Sequence, residues 1–162
     1  MKNRERALTV LSALDIPYEL TEHEAVFTID EVKALGLMEM GTICKNLFLR
    51  DAKGRNHYLV VMAPEKQADL KSIGEQLGST KLGFASENRL QTMLGLQKGE
   101  VTPLGVVNDS AHCVTVVFDQ DLQGEERLGV HPNDNAATVW LSFDSLGKYI
   151  SHCGNSIRYI EI

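Results

Sequence analysis

Val114-Thr115-Val116-Val117-Phe118 is a continuous, strongly β-branched run with no charged residue. A strand of this kind has no polar face to give to water, so it belongs inside a sheet covered on both sides. The rest of the chain must supply those covering layers. Ala7, Leu8, Leu11 and Leu14 recur at helical spacing, which predicts a helix over 3–14 that stops before Pro17. Thr28-Ile29-Asp30-Glu31 has the form of a capping box and opens a helix to about Leu37. Residues 43–50 and 56–63 read as two strands joined by the turn residues Asp51 to Arg55. A helix is expected over 66–77, ending at Gly78, then a short extended piece over 82–85 and a helix from a Ser86 cap to about Leu94. Residues 95–103 are rich in breakers and read as a loop. Strands over 127–131 and 137–142, a helix over 142–152 and a strand over 156–161 complete the series. Helices and strands mix without regular βαβ alternation. The expectation is therefore one α+β domain over residues 1–162, with a mixed, largely antiparallel sheet and flanking helices.

Charge limits what such a domain can bind. The formal net charge is −6, whereas a protein that grips long nucleic acid is usually basic. DNA is not an expected partner, and any contact with RNA should be short and local. Cys44, Cys113 and Cys153 are odd in number and far apart, which argues against a disulfide framework and fits a reducing compartment. No apolar run approaches the roughly 20 residues of a bilayer span, and Met1 to Arg6 does not read as a signal peptide. A cytoplasmic location without a membrane partner is expected.

Most standard chemistries lack their residues. There is no phosphate-binding P-loop, dinucleotide glycine motif or serine nucleophile elbow. His23, His57, His112, His131 and His152 do not fall at metal-ligand spacing, so neither a metal nor a cofactor is expected. One feature stands out. Lys45 opens the strand Lys45-Asn46-Leu47-Phe48-Leu49, and alternation places it on the same side as Leu47 and Leu49. A charge beside apolar surface is costly unless a polar group meets it. Two readings are open: a lysine whose stem covers the leucines with its head in water, or an anion clamp at a pocket mouth.

Four segments decide between them. His23-Glu24-Ala25-Val26-Phe27-Thr28, Lys45 to Leu49, Gly99-Glu100-Val101-Thr102-Pro103-Leu104-Gly105, and His131-Pro132 with Asn135 and Thr138 occur in this order along nearly the whole chain. Together they resemble the YbaK-type aminoacyl-tRNA deacylases, relatives of the editing domain of bacterial prolyl-tRNA synthetases. The first segment is similar to the freestanding branch that removes alanine from proline tRNA. It departs from that branch at Glu24, where proline is frequent.

The resemblance implies a hydrolase acting in trans on mischarged tRNA. Alanyl-tRNA(Pro) is the first candidate substrate, and a tRNA mischarged with cysteine or serine is an alternative. The further alternatives are a non-catalytic module that binds aminoacyl-tRNA or a nucleotide, and a thiol hydrolase using Cys44. Its implied partners are the tRNA acceptor end and prolyl-tRNA synthetase. By the same resemblance Lys45 would bind the terminal phosphate or polarise the ester, Gly99 would let the loop backbone approach the ester carbonyl, and His131 would border the pocket. Phe27, Thr28, Asn46, Pro103, Asn135 and Thr138 would bind substrate. Apart from the resemblance, Met40 and the loop after Gly99 are candidate walls of the pocket. The substrate's own 2′-hydroxyl would assist the attacking water, so no nucleophile triad is required. Lys66, Lys71, Lys81, Arg89 and Lys98 are candidates for a basic rim.

Overall fold

A computed structural model describes residues 1–162. Its elements in chain order are α1 (Asn3–Ala13), β1 (Glu19–Glu22), α2 (Ile29–Ala34), β2 (Thr42–Ile43), β3 (Lys45–Arg50), β4 (His57–Met62), α3 (Leu70–Leu77), β5 (Gly83–Phe84), α4 (Glu87–Leu94), β6 (Val114–Asp119), β7 (Leu128–Val130), β8 (Ala137–Leu141), α5 (Phe143–Cys153) and β9 (Ile157–Ile160). Short 3₁₀ turns over Leu37–Glu39, Pro103–Asn108 and Gln120–Leu122 connect them. The class is α+β, as expected.

The strands form two mixed sheets, one ordered β1-β8-β7-β2 and the other β5-β3-β4-β6-β9. Strand β6 lies inside the larger sheet, parallel to both β4 and β9. Its alternation explains why the run is almost wholly apolar, with only Thr115 polar and half-buried. Val114, Val116 and Phe118 point into the main core, which also takes residues from α1, α4, α5 and the smaller sheet. Val117 points the other way, into a second cluster with Ile73 and Leu77 of α3. One strand thus serves two cores.

The structure differs from the sequence reading in four ways, the first three of them local in cause. The helix expected from Thr28 to Leu37 stops at Ala34, because Gly36 adopts φ +74° and turns the chain into a 3₁₀ turn. Helix α3 starts at Leu70 rather than 66, since the Asp69 carboxylate accepts the Lys71 and Ser72 N–H groups and fixes the start. The polar edge strand β1 and the 3₁₀ turn after Pro103 carry no periodic apolar signal. The fourth difference creates the site. The single strand expected over 43–50 is two: Thr42–Ile43 pairs with β7 in the smaller sheet, and Lys45–Arg50 pairs with β4 in the larger. The chain changes sheets at Cys44, whose N–H donates to the Gly129 carbonyl at 3.0 Å. Lys45 therefore begins its strand at the seam between the sheets.

Candidate active site

The seam opens as a cavity of about 250 Å³. Phe27, Thr28, Lys45, Asn46, Gly99 and His131 all line it, although they come from four separate stretches of chain. Its apolar walls include Val26, Val32, Ile43 and Val101. Val26 and Val101 fall inside the segments singled out in the sequence, whereas Val32 and Ile43 look there like ordinary core residues.

Lys45 shares its face of β3 with Leu47 and Leu49, and Leu49 packs in the α3 cluster. Its Nζ donates to the Lys66 carbonyl at 3.2 Å, and no carboxylate pairs with it. The ammonium is held in place but keeps an unneutralised charge at the pocket. The turn that offers this carbonyl is itself fixed. Lys66 Nζ lies 3.0 Å from the fully buried Asp119 and 2.6 Å from Asp121, and Asp119 also accepts the Ala63 N–H at 3.3 Å.

Asn46 points to the opposite face. Its Nδ2 donates to the Val101 carbonyl at 3.1 Å, while its Oδ1 is buried with no partner. That orphan acceptor leaves a desolvation cost that a substrate donor would remove.

His131 Nδ1 donates to the Ala137 carbonyl at 3.1 Å, which fixes the proton on that nitrogen. Burial of the ring is the main force lowering its pKa below the ordinary 6.5. The ring is therefore neutral at neutral pH, and its Nε2 is an acceptor. The unfolded chain binds this proton more readily than the folded one, so the stability contribution is complete above about pH 6.5 and is lost as pH falls below it. His57, lowered chiefly by its own burial, acts in the same sense. Melting temperature should fall as pH drops from 7 toward 5, and His131→Asn should flatten that slope without abolishing it. A slope unchanged in the variant would refute the assignment.

The loop after α4 needs glycine at one position. Gln97 to Glu100 forms a tight turn closed by the Glu100 N–H on the Gln97 carbonyl at 3.0 Å, with Gly99 at φ +87°. A Cβ on Gly99 would also sit 2.7 Å from Phe27 Cδ1. Both the dihedral and the close aromatic contact exclude a side chain. The loop's capacity to meet an oxyanion is narrower than the sequence implied. Glu100 and Leu104 N–H groups are engaged with Gln97 and Thr102, and Pro103 has none. The Gly99 and Val101 amides have no partner within the protein.

Four sequence candidates lie outside the cavity. Pro103 is buried as the first residue of a 3₁₀ turn. Its neighbour Thr102 ties the loop to the site by donating to the His131 carbonyl at 2.6 Å. Asn135 holds a wall rather than forming one: its Nδ2 donates to the Val26 carbonyl and its own carbonyl accepts the Val26 N–H. Thr138 is buried beneath the cavity, where its hydroxyl lies 2.9 Å from His23 Nε2. The Met40 side chain is half-exposed and turned away, its carbonyl accepting from Arg127 Nε. Thr28 does both expected jobs, lining the cavity and capping α2 by accepting the Glu31 N–H at 3.2 Å. Of the basic rim, Lys66 is neutralised by aspartates and Arg89 is bound to His57 and the Gly54 carbonyl.

Thiol chemistry does not fit. Cys44 is buried in the main core, and desolvation pushes its pKa up to about 12, so it remains an unreactive thiol. No three His, Cys, Asp or Glu side chains converge as a metal-ligand set.

Residues 23–149 match the family described as the aminoacyl-tRNA editing domain. The chain is 48% identical over 162 residues to the prolyl-tRNA editing protein ProX of Acetoanaerobium sticklandii, covering 100% of this chain and 99% of that one. It is 36% identical over 148 residues to the mouse prolyl-tRNA synthetase associated domain-containing protein 1, covering 90% and 88% of the two chains. Among solved structures, it superposes with TM-score 0.75 on a candidate trans-editing enzyme for prolyl tRNA synthetase. That match has 19% identity and covers 100% of this chain and 98% of the other, which establishes a shared fold. No helix is long and apolar enough to cross a membrane.

Proposed function

The chain belongs to the aminoacyl-tRNA editing domain family, and on that premise we propose that it hydrolyses the ester of mischarged tRNA in trans, with alanyl-tRNA(Pro) as its substrate. The observation that supports this most is the meeting of an unneutralised lysine, an orphan amide acceptor, two unpartnered loop amides and a neutral histidine around one small cavity.

An aminoacyl ester is already reactive, so positioning and charge stabilisation are the main requirements. Lys45 presents its ammonium to the terminal phosphate or to the developing oxyanion. The Gly99 and Val101 amides face the same charge from the loop. Asn46 Oδ1 accepts from a substrate donor, either the α-ammonium or a ribose hydroxyl. His131 borders the aminoacyl end with Nε2 as acceptor. The substrate's 2′-hydroxyl assists the water, so a protein nucleophile is not needed.

Size sets the amino-acid preference. The apolar walls around Val26, Val32 and Ile43 accept a methyl side chain, and rejecting a bulkier one by steric clash is easier than rejecting a smaller one. The alanyl ester of tRNA(Pro) should be hydrolysed on the order of 10²-fold faster than the prolyl ester. Prolyl-tRNA synthetase, as the source of that mischarged tRNA, is the expected functional partner. Rates on alanyl-, cysteinyl-, seryl- and prolyl-tRNA(Pro) test the reading. Equal hydrolysis of alanyl and prolyl esters would overturn it, because such a protein would destroy the correct product.

A further inference from the structure

A second cavity adjoins the first. It has a volume of about 300 Å³, and Asn46, Gly99 and Val101 line both. Phe84 forms its outer wall with 63% of its surface exposed, although it stands on a two-residue strand opposite the fully buried Leu49. The ring is open to solvent and also lines the cleft.

The floor of this cleft is an open sheet edge. Strand β5 pairs with β3 only at Leu49 and Arg50, and the last bond is from the Ala85 N–H to the Phe48 carbonyl at 2.9 Å. Peptide groups two residues apart on a strand point the same way. The Asn46 N–H and C=O therefore face the same side as Phe48, where no strand lies beside them. The cleft thus combines an exposed aromatic face, an unpaired donor and acceptor, and the Lys98 side chain at its rim.

Resting on the deacylase reading, we propose that this cleft is the subsite for the adenine of the esterified terminal nucleotide. The base stacks on Phe84 with its polar edge toward the Asn46 peptide group. The connectivity of the substrate requires such a neighbour. Aminoacyl group and base are joined through one ribose, so a side chain seated in the first cavity forces the base into an adjoining space. The cleft beyond Asn46 shares three lining residues with that cavity. Stacking suits Phe84 because it needs a flat face and no hydrogen-bonding side chain.

The test uses uncharged tRNA(Pro) carrying 2-aminopurine at its 3′ end, together with deacylation kinetics on alanyl-tRNA(Pro). Wild-type protein should quench the 2-aminopurine fluorescence, and Phe84→Tyr should retain the quench. Phe84→Ala should lose it, and its KM should rise about 5- to 150-fold with kcat within a factor of two. Phe84 is exposed, so an unchanged melting temperature is expected to confirm folding. Quenching that survives Phe84→Ala, or a fall in kcat at constant KM, would overturn the subsite. So would a changed self-association with unchanged tRNA binding, which would make the cleft a protein contact. Quenching without hydrolysis by wild-type protein leaves the subsite standing and refutes the deacylase reading. Hydrolysis without quenching does the reverse.

Discussion

Lys45→Ala is expected to lower kcat for alanyl-tRNA(Pro) by about 10²–10³ while leaving the melting curve within a degree or two of wild type. Removing one preorganised partner of a developing oxyanion typically costs that much. The fold should tolerate the change because Lys45 has no ion-pair partner to orphan, only the Lys66 carbonyl, which water can satisfy. Lys45→Arg should recover little. A planar guanidinium cannot place a compact charge at the same point while still bonding that carbonyl. Near-normal turnover by Lys45→Ala protein would remove the lysine from the mechanism.

Asp119→Ala should have the largest effect on stability at the site, about 3 kcal/mol. The carboxylate is fully buried and accepts from the Ala63 N–H, the Asp121 N–H and Lys66 Nζ. Truncation leaves a buried amide unpaired, a cost of about 1–3 kcal/mol. It also takes a counter-charge from a lysine whose side chain is only 21% exposed. Activity should fall as well, through a longer chain of cause. Asp119 anchors the 63–66 turn, and that turn's carbonyl holds Lys45. The distinguishing measurement is kcat in the fraction that remains folded, determined well below the melting temperature. If the folded Asp119→Ala protein turns over at the wild-type rate, Asp119 supports the fold alone.

Much of this arrangement could be read from residue order. The apolar run of β6, the Thr28 and Ser86 caps and the Asp51–Arg55 hairpin are local signals, and they survive because tertiary packing agrees with them. Lys45 stands out as a cation within an apolar alternation, but that alone leaves the solvated reading open, and only its company with the other three segments singles it out. What escaped depends on two distant segments meeting. The division of 43–50 into β2 and β3 is set by pairing with β7 and β4, and no residue between Ile43 and Lys45 announces it. Asn135 and Thr138 have the residue types of substrate ligands, and in the structure their side chains also hydrogen-bond to Val26 and His23. A polar side chain that supports a wall and one that touches a ligand look alike in sequence.

The exchange of sheets at Cys44 makes the pocket sensitive to chain length in a way that its volume does not reveal. Ile43 is registered against Gly129 and Lys45 against Met62, so a single residue must bridge two independent ladders. An added residue cannot be absorbed as slack, because either ladder would have to slip by one. A one-step slip turns every side chain of a strand to the other face. In β3 that would send the ammonium where the amide now lies and bring Phe48 out of the main core. Substitutions at this point change one interaction, whereas an insertion or deletion would exchange the roles of the two sides of the strand at once. Drift in this part of the chain is therefore confined to changes of residue and closed to changes of spacing.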